Sequence, residues 1–165
     1  MTKGPDLRVG EMMTADPLTI DGMATLNEAL SIMRERNISS LVVKRRSADD
    51  EYGLLLISDI ANGISAGNRP ASRIQVYEVM QKPAPAVDAE MKLRYAVRYM
   101  TRFGISHCVV LSGRQLAGIV SLRDITIRFL HADGQTSEGA AAGMRLSEVS
   151  SAIGLGKATV HRLMG

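Results

Sequence analysis

The segment GIVSLRDI, residues 118–125, has an imperfect copy earlier in the chain, GLLLISDI, residues 53–60. In both segments an apolar run opens with a glycine and ends in an Asp-Ile pair. Such a run is typical of a buried strand, and the aspartate lies where a following helix would begin. The repetition therefore predicts that the chain contains two copies of one structural unit.

The duplication extends well beyond these two segments. When the sequence is shifted against itself by 67 positions, residues 9–43 align without a gap on residues 76–110. The loop that follows is two residues longer in the first copy, after which the two glycine-to-isoleucine segments align. The identical pairs that set this register are Val9/Val76, Glu11/Glu78, Met13/Met80, Asp21/Asp88, Leu26/Leu93, Ala29/Ala96, Met33/Met100, Ile38/Ile105, Ser39/Ser106, Val42/Val109 and Val43/Val110.

Each copy predicts the same order of elements, β-α-β-β-α. A short extended piece is followed by a helix whose apolar residues recur at helical spacing. In the first copy, Thr25 and Glu28 form a capping-box pattern at the start of that helix. Two strands follow, and their near-continuous apolar runs are typical of strands buried on both faces. The predicted helices cover residues 25–37 and 91–104, the strands 40–45, 52–57, 107–111 and 116–121, and a polar linker 66–75 separates the copies.

Composition limits the classes of protein to consider. Hydrophobic residues make up 45% of the 165 residues and aromatic residues only 4%, so the core must be aliphatic. The net charge of +3 permits contact with anions without requiring nucleic acid. Cys108 is the single cysteine and lies in an apolar run, which excludes an internal disulfide and predicts a buried, inert thiol.

The sequence also predicts where the protein works. The first residues lack the apolar core of a signal peptide. No apolar run approaches the ~20 residues that a membrane helix needs. We therefore expect a reduced, soluble, cytoplasmic protein without membrane contact.

Three features together resemble a tandem pair of CBS domains, also called a Bateman module. They are a V-x-E-x-M segment at the start of each copy, the helix with Leu26 and Ala29 or with Leu93 and Ala96, and the G-x5-D-I ending. The resemblance implies an α/β (α+β) fold of two β-α-β-β-α repeats, residues 9–66 and 76–131, packed with pseudo-two-fold symmetry. It also implies an adenosine nucleotide (AMP-, ADP- or ATP-like) in a cleft between the copies, a homodimer through the CBS helices, and a regulated protein partner.

The second copy carries the predicted ligand site. Gly118 lets a ligand or another backbone approach closely, and Ser121 lies at the expected N-cap of a helix, where backbone N–H groups attract anions. The resemblance implies that Asp124 binds ribose hydroxyls, while Ser121 and the helix start bind phosphate. Ser-x-x-Asp is equally a helix-capping pattern, so a purely structural role is the alternative. By the same resemblance, the base would lie near Ala86, Val87, Ile105 and Ser106.

Two further residues complete the predicted site, and the first copy departs from it. His107 could reach the phosphates when protonated, or could be a neutral, hydrogen-bonded histidine. Arg123 is the one arginine that we keep as a phosphate neighbour. In the first copy Leu56 replaces the serine, so Asp59 could still bind ribose but a phosphate site there is doubtful. We therefore expect one good site and one degenerate site.

The last part of the chain has a different composition. Residues 132–143 are small and polar, which suits a linker. Residues 144–165 resemble part of an IclR-type helix-turn-helix, which would leave Lys157, Thr159, His161 and Arg162 outward for DNA. A helical pair that packs on its own protein is the favoured alternative. A DNA-binding transcriptional regulator with the CBS pair as its sensor remains the alternative function.

Catalytic chemistry is not indicated. The sequence shows no acid and base pair, no metal-ligand cluster and no nucleophile with a partner, so we expect a non-enzymatic module with no required cofactor. The run Lys44-Arg45-Arg46, followed by Asp49-Asp50-Glu51, is interpreted as a solvated hairpin with offsetting charges.

Overall fold

The structure is a computed structural model that describes the backbone of residues 6–135 and the side chains of residues 6–128. The predicted helix-turn-helix segment, with Lys157, Thr159, His161 and Arg162, lies outside the described residues. The helices are α1 (Val9–Met12), α2 (Leu26–Arg36), α3 (Ile57–Gly67), α4 (Leu93–Arg102) and α5 (Leu122–Gln135), with short 3-10 helices at Ala71–Arg73 and Val76–Glu78. The strands are β1 (Thr14–Ala15), β2 (Thr19–Ile20), β3 (Ser40–Val43), β4 (Gly53–Leu56), β5 (Ala86–Asp88), β6 (His107–Ser112) and β7 (Gln115–Ser121).

The described residues form two compact units. We call residues 16–85 the central unit, and residues 6–15 together with 86–135 the split unit. The central unit contains a sheet in the order β2-β3-β4, and the split unit contains a sheet in the order β1-β7-β6-β5. In each unit a parallel pair, β2 with β3 or β5 with β6, is followed by an antiparallel hairpin. The predicted mixed α+β fold of two similar repeats is confirmed.

The compact units do not coincide with the sequence repeats. Val9 N–H donates to the Met91 carbonyl at 2.9 Å, so the V-x-E-x-M segment of the first copy packs in the split unit. The equivalent Val76 N–H donates to the Ala24 carbonyl at 2.8 Å in the central unit. Both valines are fully buried. Each copy has thus exchanged its leading segment for that of the other, because the hydrogen bonds and the apolar pocket that the segment needs are provided by the later elements of the other copy.

Each unit has its own aliphatic core, as the composition predicts. The core of the central unit contains Leu26, Ala29 and Met33 from the apolar face of α2, together with residues of all three strands. The capping box at the start of α2 is confirmed: Glu28 N–H donates to Thr25 Oγ1 at 3.2 Å, and Thr25 N–H donates to Glu28 Oε2 at 2.6 Å. In the split unit, Cys108 is buried among the core residues. Burial raises the pKa of its thiol to about 12, which fits the predicted inert role.

The predicted linkers require correction. Residues 66–75 do not merely connect the copies, because Ile74 is buried in the core of the central unit and its carbonyl accepts the Leu26 N–H at 2.8 Å. Helix α5 continues to Gln135, four residues into the segment predicted as a linker, 132–143. Among the described residues, no helix combines the length and apolar character that crossing a membrane requires.

Candidate functional site

The predicted ligand residues of the second copy lie at one end of the split unit's sheet. Strand β6 begins at His107 and β7 ends at Ser121, and these two residues are paired directly in the antiparallel register. Strand β5 runs parallel to β6 and begins at Ala86, which pairs with Val109. Because the starts of β5 and β6 and the end of β7 meet at the same end of the sheet, the topology brings His107, Ser121 and the start of α5 together.

Ser121 caps helix α5. Its Oγ accepts the N–H of Asp124 at 3.0 Å, and only 7% of the residue is exposed. The N–H of Leu122 donates to the carbonyl of Ser106 at 2.9 Å. The predicted N-cap is therefore confirmed. Because two N–H groups of the first turn already have acceptors, the phosphate role of Ser121 stays a prediction that draws on the helix dipole and on the serine O–H.

Asp124 presents its carboxylate to solvent in the first turn of α5. About half of its side chain, 49%, is exposed. The neighbouring Arg123 is 82% exposed, and its guanidinium lies 3.7 Å from Asp124 Oδ1, a loose surface ion pair. The capping of α5 uses the backbone N–H of Asp124 and leaves its carboxylate oxygens able to accept further hydrogen bonds.

His107 is half-buried beside this carboxylate. Its Nδ1 lies 2.9 Å from Ser106 Oγ, so the two side chains share a hydrogen bond. Burial lowers the pKa of His107 below its usual value, while the negative charge of Asp124 acts in the opposite direction. Burial therefore favours the neutral form of His107, and a nearby phosphate would favour its protonated form.

The residues predicted to contact a base have unequal access. Ala86 and Ser106 are exposed, and Ile105 is partly buried against the core. Val87 is a core residue with 4% exposure, so its side chain is committed to packing and only its backbone could face a ligand. The apolar contribution to a base site therefore falls to Ala86 and Ile105.

Gly118 lies beside another backbone of its own unit. A Cβ atom at this position would lie 2.6 Å from Met13 Sδ and 2.7 Å from the Thr14 carbonyl oxygen. Strand β1 pairs with β7 at this point, with Ala15 opposite Gly118. The sequence analysis allowed either a ligand or another backbone to approach Gly118. The close packing of strand β1 explains the glycine, and no ligand contact is needed.

The equivalent carboxylate of the first copy is held differently. Asp59 Oδ2 accepts the N–H of Leu56, the N-cap residue of α3, at 2.9 Å, which is the carboxylate half of a capping box; Leu56 has no hydroxyl to form the other half. The side-chain amide of Gln81 donates to the same oxygen at 3.1 Å and to Oδ1 at 3.3 Å. Sequence reasoning missed Gln81. The signal was available, because the shift of 67 positions places Thr14 at the same point of the other copy, and threonine is too short to make this contact.

The donor set of the described residues does not assemble a metal centre. Among the side chains of residues 6–128, no group of three or more His, Cys, Asp or Glu is close enough to hold a metal ion. The chemistry that the second-copy site offers is therefore hydrogen bonding and charge: one accessible carboxylate, one hydroxyl, one imidazole and a helix start.

Comparison with known families places this architecture. The family model described as "CBS domain" matches the chain twice, at residues 9–66 and 76–131. The chain therefore belongs to the CBS domain family and carries a tandem pair, as its repeats predict. CBS pairs are regulatory modules.

Relatives of known sequence share about the same level of identity. An uncharacterized 33.4 kDa protein in the ribosomal RNA operon of Thermofilum pendens is 29% identical over 138 residues, 78% of this chain and 45% of that protein. The CBS domain-containing protein YhcV of Bacillus subtilis is 28% identical over 119 residues, 72% of this chain and 83% of that protein. The chain thus spans less than half of the Thermofilum protein.

Solved structures share the fold. The hexameric CBS-CP12 protein from bloom-forming cyanobacteria superposes with a TM-score of 0.71 at 32% identity, over 76% of this chain and 74% of that one. The CBS domain pair of protein MJ0100, in complex with 5-methylthioadenosine and S-adenosyl-L-methionine, gives 0.67 at 21% identity, over 77% and 98%. A Pyrobaculum aerophilum CBS domain protein complexed with AMP gives 0.63 at 19% identity, over 72% and 89%.

Proposed function

We propose that this protein is a regulatory CBS-pair module that binds an adenosine nucleotide and signals its ligand state to a protein partner. The ligand site is the end of the split unit's sheet that carries Asp124, Ser121 and His107. Asp124 accepts hydrogen bonds from the ribose hydroxyls, while Ser121, His107 and Arg123 face the phosphate. Ala86, Ile105 and Ser106 contact the base.

The difference between the two equivalent aspartates supports this assignment most strongly. Asp59 accepts hydrogen bonds from the Leu56 N–H and from the amide of Gln81. Helix capping therefore explains why the first copy also has an aspartate at this position. In the second copy the cap is Ser121, which leaves the Asp124 carboxylate without that structural task and half exposed. Because the Asp124 carboxylate does not cap α5 and lies at the end of the sheet, it can accept hydrogen bonds from two neighbouring hydroxyls of a ligand.

Two fold neighbours support the ligand class. Their solved complexes contain AMP in one case, and 5-methylthioadenosine with S-adenosyl-L-methionine in the other. An adenosine moiety with a vicinal diol is common to these ligands, whereas the phosphate is not. We therefore expect Asp124 to bind the ribose diol. The contacts with the phosphate should determine which adenosine ligand binds most tightly.

The same comparison of the copies predicts stoichiometry. The Leu56 N–H and the Gln81 amide already donate to the Asp59 carboxylate, and the first copy also lacks the serine. We expect one adenosine ligand per chain.

Calorimetric titration of AMP into Asp124→Ala and Asp59→Ala tests the proposal. Hydrogen bonds to a charged group contribute about 1.5–3 kcal/mol, so Asp124→Ala should weaken AMP binding about ten- to a hundred-fold. Its thermal stability should change little, because the cap uses the serine oxygen and a backbone N–H. Asp59→Ala should bind AMP normally but lose about 1 kcal/mol of unfolding free energy, because α3 loses its cap.

Wild-type protein that gives no saturable heat with AMP, 5-methylthioadenosine or S-adenosyl-L-methionine would remove the ligand proposal. Equal weakening in both variants would assign the carboxylates a shared structural role. A ligand count of two per chain would contradict the single site.

A further inference from the structure

A concave pocket lies at the opposite end of the central unit's sheet from Asp59. Its walls come from the residues that follow β2, from the end of β3 and the start of the β3–β4 hairpin loop, and from the 3-10 helix Val76–Glu78 with the segment after it. The cavity measures about 400 Å³, within the range of small-molecule sites. Its lining residues are Asp21, Gly22, Met23, Val43, Lys44, Arg45, Arg46, Tyr77, Met80 and Lys82.

The pocket concentrates positive charge. Four of its lining residues, Lys44, Arg45, Arg46 and Lys82, are cations, and one, Asp21, is an anion. Oδ1 of Asp21 accepts the N–H of Met23 at 2.8 Å, so this carboxylate is already engaged in a turn. The hairpin loop is largely exposed to solvent, as predicted, and its basic residues Lys44, Arg45 and Arg46 line this concave surface.

Two of the four cations are committed to the protein. Lys82 Nζ lies 2.6 Å from Asp50 Oδ2. Arg45 stacks over the ring of Tyr52, with its guanidinium carbon 5.0 Å from the ring centroid. The Arg46 N–H and Lys82 donate to Asp50 and lower the pKa of that carboxyl to about 2, so Asp50 stays ionised and keeps Lys82 paired.

Lys44 and Arg46 are the two remaining cations. Both are exposed, and neither side chain forms an ion pair with any residue in the part of the chain that the structure describes. Beside them, Tyr77 and Met23 expose 44% and 56% of their surface. The pocket thus joins two unneutralised cations to an exposed aromatic ring and an exposed thioether.

The other copy shows that the fold does not require this chemistry. At the positions that the shift of 67 pairs with these cations the split unit has uncharged residues, although both units build a parallel strand pair and an antiparallel hairpin. The hairpin loop is longer in the central unit, residues 44–52 against 113–114. Tyr77 is likewise replaced by a glycine and Met23 by a glutamate. The equivalent pairs are Lys44/Leu111, Arg45/Ser112, Arg46/Gly113, Lys82/Ala15, Tyr77/Gly10 and Met23/Glu90.

We propose that this pocket is a second ligand site, separate from the Asp124 site, that binds a small phosphorylated molecule with a planar or apolar portion. Lys44 and Arg46 bind the phosphate, because ammonium and guanidinium donors match phosphate oxygens and the excess positive charge of the pocket favours a dianion. Tyr77 and Met23 cover the remainder of the ligand. The concave shape and the volume favour a small molecule over an extended nucleic acid backbone.

The test is a chemical-shift titration of the ¹⁵N-labelled protein with inorganic phosphate and with phenyl phosphate. Phenyl phosphate should shift the backbone amides of Gly22, Met23, Lys44 and Tyr77, and should bind more tightly than inorganic phosphate. Lys44→Gln/Arg46→Gln should weaken both probes about tenfold or more. Tyr77→Ala should remove the preference for the phenyl probe.

The matched control is Arg34→Gln/Arg36→Gln, which removes two exposed cations from the last turn of α2 in the same unit. Its binding of phenyl phosphate should stay within about twofold of wild type. Asp124→Ala should also bind phenyl phosphate normally, which keeps this test separate from that of the adenosine site. Absence of saturable shifts, equal weakening in the control, or shifts centred on Ser121 and Asp124 would overturn the proposal.

Discussion

Close packing against a methionine explains the glycine that opens each apolar run before an Asp-Ile pair, Gly53 and Gly118. In the split unit Met13 lies against Gly118, and in the central unit the equivalent Met80 lies against Gly53, where a Cβ atom would be 3.1 Å from its sulfur. The contact is tighter at Gly118, because the Thr14 carbonyl oxygen would also lie only 2.7 Å from a Cβ. The methionine of the V-x-E-x-M segment and the glycine of the strand are therefore one packing feature.

Gly118→Ala should destabilise the protein by about 1–3 kcal/mol, because the added methyl overpacks a contact with a backbone oxygen that cannot move aside cheaply. Urea denaturation measures the change. Gly67→Ala, at the end of α3, is the matched control: its Cβ would meet its nearest atom, Ile74 Cδ1, at an ordinary 3.7 Å. The control should be neutral or slightly stabilising, and a Gly118→Ala variant as stable as the control would contradict the packing argument.

His107 makes a pH-dependent contribution to stability. Burial lowers its pKa in the folded state from the usual 6.5, so the unfolded chain binds a proton at a higher pH than the folded chain does. The free energy of unfolding should therefore fall as the pH drops from about 7.5 to about 5.5. Denaturation of wild type and of His107→Gln across this window isolates the effect. Parallel pH profiles for the two proteins would show that His107 is not desolvated.

At the scale of elements, the exchange of leading segments is reciprocal. Bridges join Arg8 with Lys92 in the split unit and Gln75 with Thr25 in the central unit, and both pairs occupy equivalent positions of the two copies. The antiparallel contact of β1 with β7 has its counterpart in the bridge between Leu54 and Gln81. A leading segment therefore stabilises the copy to which it does not belong in sequence.

Amide hydrogen–deuterium exchange can test the swap of leading segments, with one valine-to-alanine substitution in each segment. Val9→Ala should leave a cavity in the split unit and cost about 1–3 kcal/mol. It should lower amide protection in β6, β7 and α4 more than in β3 and β4. Val76→Ala should do the reverse, with its loss of protection concentrated in β3, β4 and α2. Loss of protection confined to the copy that carries the mutation in sequence would contradict the exchange.

The sequence predicted the elements better than their partners. The capping box of α2 follows from Thr25 and Glu28, and the buried strands follow from near-continuous apolar runs; the structure confirms both. The sequence could not predict that residues 9–15 pack in the split unit, because hydrogen bonds over a separation of about eighty residues have no local signal. Gln81 is a different case: its difference from Thr14 of the other copy is visible in the sequence, but its contact with Asp59 forms only in the folded chain.

At the scale of the whole molecule, exposed aromatic residues indicate self-association. On α4, Tyr95 is 48% exposed, and the adjoining Phe103 is 64% exposed with its ring centroid 5.4 Å from that of Tyr99. Surfaces of this kind mark protein contacts when they are contiguous. We expect this chain to form a homodimer through its CBS helices.

Phe103→Asp/Tyr95→Asp should shift the chain from dimer to monomer in sedimentation velocity at micromolar concentration, because two buried aromatic contacts would be replaced by charges. Ser72→Asp, on the exposed 3-10 helix Ala71–Arg73, is the control and should leave the sedimentation coefficient unchanged. A monomeric wild type, or a dimer that persists in the double variant, would place any self-contact elsewhere.

The sequence by itself determined the duplication, the β-α-β-β-α order, the aliphatic cores and the family, because repeat register and hydrophobic period are properties of the linear chain. Only the tertiary structure decided which carboxylate receives hydrogen bonds from the protein, what packs against the two glycines, and which basic residues share a pocket. Asp59 and Asp124 are the same residue in the same motif, and their surroundings differ through Gln81 and Ser121. Hydrogen-bond partners and solvent access depend on distance in space, which the order of residues encodes only through the completed fold.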